Sequence, residues 1–436
     1  MPLSEQKKRR QGLMNHIGRD GIAVLPAAPE ATRNRDVLYP YRQDSDFRYL
    51  TGFEEPDAVA VFVPEREQGE YILFSRERDP QRETWEGRTV GQAAVVSDYG
   101  ADDAFPIDDI DEILPGLMEG RAKVFCAMGA DSDFDHRLIG WVNALRQRAR
   151  AGVKAPLEYV SLEHVVHEMR LVKSKAEIAT MREAGHITAA AHARLLSVIR
   201  PGLKEYEIEA ELLYDFRRHN GEPAYPIIAG AGANACVLHY IANQAELAAG
   251  DLILIDAGIE RDGYAADITR TLPINGKFSD AQRAIYSLVL DAQEAALATL
   301  RPGEHWNAGH QAATEVLVAG LIDLGLIDGP VSAALEQGEY RRYFMHRTGH
   351  WLGMDVHDVG DYKVDGHWRE LEPGMVLTVE PGLYIAPGSP VEACWQGIGV
   401  RIEDNCVITR DGYENLTQAA PKTIDAIEQA MSKGGL

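Results

Sequence analysis

The sequence predicts a mixed α/β (α+β) chain of two domains, residues 1–172 and 173–436. Three observations carry that expectation. Residues 1–172 interleave short apolar runs with stretches of helical spacing. A long helical stretch then opens at about Ser174. Beyond it, a helix, an Arg-Pro-Gly turn, a second helix and a pair of strands occur in that order twice.

In the first part, GIAVLPA (21–27), AVAVFVP (58–64), EYILFS (70–75) and KVFCAM (123–128) read as strands. The stretch DSDFDHRLIGWVNALRQRAR (131–150) repeats its apolar residues at helical intervals. The second part starts with HVVHEMRLVKSKAEIATMREAGHITAAAHARLLSVIR, whose helix ends at Arg200-Pro201-Gly202 and is followed by KEYEIEAELLYDFRRHN. A helix from Asp280 likewise ends at Arg301-Pro302-Gly303 and is followed by WNAGHQAATEVLVAGLIDLG. Strand pairs close each series, LILIDAGIERDGYAADITRT (252–271) in one, GMVLTVEPGLYI (374–385) with GIGVRIEDNCVIT (397–409) in the other. The repeat predicts two half-domains about an internal pseudo-twofold, with their strand pairs facing one another.

Composition excludes several classes of function. Apolar residues are 45% and charged ones 25%, the balance of a globular chain. Lys plus Arg is 44 against 67 for Asp plus Glu, a formal charge of −23, which disfavours nucleic acid or an anionic membrane as partner. Cys126, Cys236, Cys394 and Cys406 form no C-x-x-C pair and no disulfide framework. The N-terminal MPLSEQKKRRQGLMNHIG is basic without a following apolar stretch, so no secretory leader and a cytoplasmic location are expected.

Acids interrupt the strands. An Asp262-Gly263 turn sets Asp256 opposite Thr269 and Asp267 opposite Gly258, so both carboxylates project from one face as diagonal neighbours. Glu380 in VLTVEPG and Glu403 in GVRIEDN occupy the second strand pair in the same way. Carboxylates among Val, Leu and Ile are costly unless a cation meets them. Histidines supply further donors: His346, His350 and His357 in MHRTGHWLGMDVHD, and His239 in ACVLHY. H-E-x-x-H is absent. Hard oxygens with one imidazole suit two divalent ions sharing bridging acids, and Mn2+, Co2+ or Zn2+ all fit that donor set. Ions about 3.5–4 Å apart activate a shared water and clamp a tetrahedral intermediate.

The motifs IDAG…ADITRT, HWLGMDVHD, TVEPGLY and RIED, in this order, resemble the pita-bread metallopeptidases, which include methionine aminopeptidase, prolidase, creatinase and aminopeptidase P. YPYRQDSDFRYLTGFEEPDAV, RDPQRETWEGR and HEMRLVKS extend the resemblance, over nearly the whole chain, to the aminopeptidase P (Xaa-Pro aminopeptidase) family. That resemblance implies an N-terminal domain of the creatinase/aminopeptidase P type before a pita-bread catalytic domain. It implies Asp256, Asp267, His350, Glu380 and Glu403 as ligands of two divalent ions, usually manganese, with Asp267 and Glu403 bridging. His239, His346 and His357 would be the outer catalytic histidines. Arg401 and Tyr384 would orient the acids beside the substrate. Asp36 in RNRD and Trp85 in ETWEGR would reach the substrate from the N-terminal domain, in a homotetramer or dimer from a neighbouring subunit. Two departures touch the cleft rather than the ligands: Arg347 replaces a small residue, and Ala233 an acid.

The expected reaction is hydrolysis of an N-terminal Xaa-Pro bond. That bond is a tertiary amide lacking an N–H, which defeats peptidases that need a donor there. A hydroxide bridging the ions would attack the carbonyl, with His239 or His357 at the oxyanion. Glu380 would serve as base and then acid, and Asp256 would receive the substrate ammonium. Competing readings are a prolidase acting on Xaa-Pro dipeptides and a non-catalytic pita-bread binding protein. A nucleotide site is a third, on the G-x-G-x-x-A match at Gly230–Ala235 with Asp251 beyond it, although no clear long helix follows the glycines.

Overall fold

Six strands form the centre of Met1–Arg170, the first of two units into which the chain divides; the second is Leu171–Leu436. The structure is a computed structural model and describes residues 1–434. The strand order in the first unit is Asp103–Pro106, Tyr71–Ser75, Val59–Phe62, Gly21–Pro26, Lys123–Cys126, Glu158–Ser161. Val59–Phe62 runs antiparallel to both its neighbours, and the other three pairings are parallel. Helices Ile110–Met118 and Ser132–Gln147 bury Leu114, Leu138 and Val142 against Ile22, Val61 and Phe74 of the sheet. The four apolar runs read as strands from sequence are strands, each shortened at one or both ends.

The basic N-terminal segment is the helix Leu3–Ile17. Arg9 and Arg10 are buried and donate to the carbonyls of Tyr49 (3.0 Å) and Leu50 (2.9 Å). Those carbonyls lie in the last turn of helix Ser45–Thr51, where cations satisfy both the dipole and the orphan acceptors. The charges therefore belong to a folded contact.

In the second unit, Ser174 caps helix Lys175–Leu195 through a reciprocal capping box with Glu177. Helix Glu205–Arg218 follows the first Arg-Pro-Gly. After the strands, Asp280–Leu297 and Ala308–Asp323 flank the second. The predicted repeat of element order is thus present. The first half builds a sheet of Ile228–Ala231, Leu252–Asp256 and Thr269–Pro273. Asp256 pairs with Thr269 and Arg261 with Tyr264 in the expected register, around Asp262-Gly263 with φ of 50° and 78°.

The second half differs from expectation in one respect. GMVLTVEPGLYI and GIGVRIEDNCVIT are each two strands, Val376–Val379 with Gly382–Ile385, and Ile398–Arg401 with Asp404–Thr409. The breaks fall at Glu380-Pro381 and Ile402-Glu403. Proline lacks the N–H that would continue the ladder. The halves meet where the Glu403 N–H donates to the Thr269 carbonyl (3.1 Å) and the Arg401 N–H to Thr271 Oγ1 (3.2 Å).

Candidate metal centre

Each strand break carries an acid, Glu380 at one and Glu403 at the other. Oxygens of Asp267 and Glu403 and a ring nitrogen of His350 lie within 4.8 Å of one another, the one such donor group among the described residues. Asp256 ends strand Leu252–Asp256, and Asp267 follows the turn in the returning segment. The loop carrying His350 runs antiparallel to Val376–Val379, with the His350 N–H donating to Thr378 Oγ1 (3.0 Å) and the Glu380 N–H to the Thr348 carbonyl (2.8 Å). This pairing holds His350 Nε2 3.5 Å from Glu380 Oε1.

Whether these residues fit a divalent ion is decided by the donors themselves. His350 Nδ1 is 2.9 Å from the Trp351 carbonyl, to which it donates, and this leaves the Nε2 lone pair facing the acids. Nε2 stands 3.4 Å from Asp267 Oδ2 and 3.5 Å from Glu380 Oε1, long for hydrogen bonds. Two donors each about 2.1 Å from one ion at a tetrahedral angle are about 3.4 Å apart. Glu403 is 1% exposed, and its Oε2 accepts from Thr269 Oγ1 at 2.8 Å while its Oε1 is buried with no partner. The Tyr225 hydroxyl lies between Asp256 Oδ1 (2.6 Å) and Asp267 Oδ1. One hydroxyl proton serves one acceptor at a time, so the second carboxylate needs a proton or a cation. The set fits divalent metal.

Electrostatics agree. Burial first, and the charge of Asp256 second, push the Asp267 carboxyl well above the usual carboxylate range. Burial, then Asp267, Glu380 and Asp256, do the same to Glu403. Burial also raises Glu380. Acids crowded this way hold protons until a cation replaces them.

Arg401, 3% exposed, binds Asp256 Oδ2 at 2.5 Å, Thr269 Oγ1 at 3.0 Å and the Tyr384 hydroxyl at 3.0 Å. Tyr384 is buried, and His346 Nε2 meets its hydroxyl at 2.8 Å. Burial, and then Arg401, lower His346 to about 4, so it is neutral at ordinary pH. These three side chains brace Asp256 from behind. His357 is exposed, with its ring 4.4 Å from that of His350, and His239 is exposed too. Both line, with His346, Arg401 and all five predicted ligands, a cleft of about 1180 Å³. Asp36 and Trp85 lie in the first unit, both exposed, Trp85 at 89%.

Sequence reasoning missed Tyr225, whose place before Pro226 carries no distinguishing pattern. It also missed Gln293, whose Nε2 donates to the carbonyls of Val379 and Ile402, each at 3.1 Å. Those carbonyls immediately precede Glu380 and Glu403, where the ladders stop. The nucleotide reading fails as its sequence context predicts: Gly230 lies within a strand, and Gly232–Cys236 is a short 3-10 helix instead of the start of a long helix that would receive a pyrophosphate.

Comparison with known proteins adds relatives to this geometry. Residues 179–410 match the family model of metallopeptidase family M24, and residues 6–125 that of the aminopeptidase P N-terminal domain. The Xaa-Pro aminopeptidase of Escherichia coli is 46% identical over 98% of this chain and 97% of its own length. That of Haemophilus influenzae is 41% identical over 99% and 98%. Among solved structures, Pseudomonas aeruginosa aminopeptidase PepP superposes with a TM-score of 0.99 at 55% identity, covering 100% of this chain and 99% of that one. Zinc-substituted E. coli aminopeptidase P in complex with product gives 0.97 at 45%, with coverage of 100% and 99%.

Proposed function

Because the chain belongs to metallopeptidase family M24, with an aminopeptidase P N-terminal domain ahead of the catalytic one, we propose that it is a metal-dependent aminopeptidase that hydrolyses the N-terminal Xaa-Pro bond of peptides. What carries this reading is the convergence of Asp267, His350 and the unpartnered buried oxygen of Glu403 on one point of the cleft. The prolidase alternative is set aside, since relatives matching both domains end to end are Xaa-Pro aminopeptidases.

On this reading residues 1–172 form the accessory domain and 173–436 the catalytic one. Asp256, Asp267, His350, Glu380 and Glu403 hold two divalent ions, manganese in preference to cobalt or zinc. When bound, such ions bring the pKa of water toward neutrality and polarise the scissile carbonyl. Glu380 takes the proton of the attacking water and returns it to the departing proline nitrogen, which has no proton of its own. His239 and His357 offer N–H groups to the carbonyl oxygen, and His346 acts through Tyr384 on Arg401 and Asp256. Asp256 faces the substrate ammonium, which restricts cleavage to the first bond. Asp36 and Trp85 contact substrate from a neighbouring subunit of a homotetramer or dimer, a role supported by the exposure of Trp85. A cytoplasmic location is part of the same proposal, supported by four free cysteines among the described residues.

The deciding comparison is Ala-Pro-Ala against the dipeptide Ala-Pro, with efficient cleavage of the tripeptide expected. A strong preference for the dipeptide overturns the assignment. His357→Ala should retain metal while losing about 10²–10³ in turnover, read by kcat and by metal analysis of the same sample. Normal turnover in that variant removes His357 from the reaction.

A further inference from the structure

The cleft has a second chemistry away from its acids. Arg347, Lys363 and Trp368 all line it. The Arg347 guanidinium carbon is 5.1 Å from the centroid of the Trp368 ring, and Lys363 Nζ is 4.4 Å from it. Lys363 and Trp368 are cross-strand partners in the small hairpin Lys363–Val364 and His367–Trp368, so their juxtaposition is built into the backbone. Arg347 is steadied by Asn307 Oδ1. Neither cation makes an ion pair with an acid among the described residues, in a chain of net charge −23. Cations held on an aromatic face and lacking a counterion await an anion.

The position of this wall identifies which part of a substrate it meets. Arg347 lies on the loop that carries His350, next to Thr348, whose carbonyl accepts the Glu380 N–H. At its other end the hairpin is fastened by Tyr362, stacked on Trp351 at 5.4 Å with an interplanar angle of 5°. Trp351 directly follows His350. The wall therefore belongs to the His350–Glu380 side of the site, which on the proposed reading is where Glu380 protonates the leaving proline, with the substrate ammonium toward Asp256.

Resting on the Xaa-Pro aminopeptidase reading, we infer that Arg347 and Lys363, held on Trp368, form a carboxylate-binding subsite for the segment downstream of the scissile bond. The anion is either the terminal carboxylate of a short peptide or an acidic side chain after the proline. At about 1180 Å³ the cleft exceeds the roughly 300–1,000 Å³ usual for a small-ligand pocket and has room for such a segment.

Two peptide pairs test the subsite in manganese-loaded enzyme at low salt. Ala-Pro-Glu-NH2 against Ala-Pro-Gln-NH2 reads a side-chain carboxylate, and Ala-Pro-Ala against Ala-Pro-Ala-NH2 reads a terminal one. In at least one pair the carboxylate member should have a kcat/KM about three- to tenfold higher, carried by KM, and the pair that responds names the source. In Arg347→Gln/Lys363→Gln that ratio should fall to about one, with an unchanged melting temperature showing that the variant is folded. Ratios near one for both pairs in the unmodified enzyme, or a preference that survives in the double variant, overturn the subsite. If no peptide is cleaved, the proposed function has failed, and calorimetric binding of Pro-Glu-NH2 against Pro-Gln-NH2, and of Pro-Ala against Pro-Ala-NH2, still decides the subsite by the same ratios.

Discussion

At the scale of single residues, the proposed ligands are placed by neighbours too small to obstruct them. A Cβ on Gly258 would lie 1.6 Å from the Ala266 carbonyl oxygen, and one on Gly349 would lie 2.1 Å from that of Thr378. The first approach sets the returning segment that carries Asp267, the second the loop that carries His350. Gly258→Ala should destabilise the fold by about 2–4 kcal/mol, measured by denaturant unfolding, because backbone rather than a flexible side chain must move. A loss below about 0.5 kcal/mol, the range of ordinary surface changes, would show that the hairpin relaxes freely. Glu403→Gln separates metal binding from folding. Without metal it should raise stability by about 1–2 kcal/mol, since a crowded buried acid is replaced by a neutral amide. Added manganese should then no longer raise the melting temperature. A variant still stabilised by manganese as the unmodified protein is would remove Glu403 from the ligand set.

At the scale of elements, the centre exists because strands stop. The carbonyls of Val379 and Ile402 are left at the ends of broken ladders, and Gln293 of helix Asp280–Leu297 satisfies both. Gln293→Leu should cost about 1–3 kcal/mol by leaving buried acceptors unmet. It should also weaken manganese binding by calorimetry; unaltered affinity would confine Gln293 to a structural role. A second element-level case lies in the first unit. Asp46 of helix Ser45–Thr51 binds His167 Nε2 at 3.0 Å and Arg170 Nη1 at 2.6 Å, tying that helix to Leu162–Leu171. Burial alone would lower His167, but the hydrogen bond and charge of Asp46 outweigh it and raise its pKa. A raised histidine pKa stabilises fully below its unfolded value near 6.5, and that stability disappears as pH climbs through the folded value. Unfolding free energy should therefore fall by up to about 1 kcal/mol as pH rises from about 6.5 through that value. The slope should be absent in His167→Ala, and its persistence there would assign it elsewhere.

At the scale of the whole molecule, two units share one chain but one of them holds the metal donors. Manganese at 100 times its dissociation constant should stabilise Leu171–Leu436 by about 2.7 kcal/mol. Hydrogen exchange should show slower opening in that unit and no comparable change in the six-stranded sheet of Met1–Arg170. Equal protection of both units would mean that they unfold as one.

Local patterns determined much of this in advance. Apolar runs marked the strands, Ser174 marked a helix start, and Asp262-Gly263 set a register that placed Asp256 opposite Thr269. Acids standing in apolar strands announced a cation, because their cost does not depend on the rest of the fold. The resemblance of four short motifs supplied the family and the proposed ligand set. Other features were decided only when distant segments met. Tyr225 between two acids and Gln293 across two broken ladders are contacts between residues far apart in sequence, and no local periodicity encodes them. Nor could the sequence bring Arg347 and Lys363 onto one tryptophan ring. Sequence pattern reports what each segment must bury, whereas the partner that satisfies a buried polar group is chosen by how the segments pack.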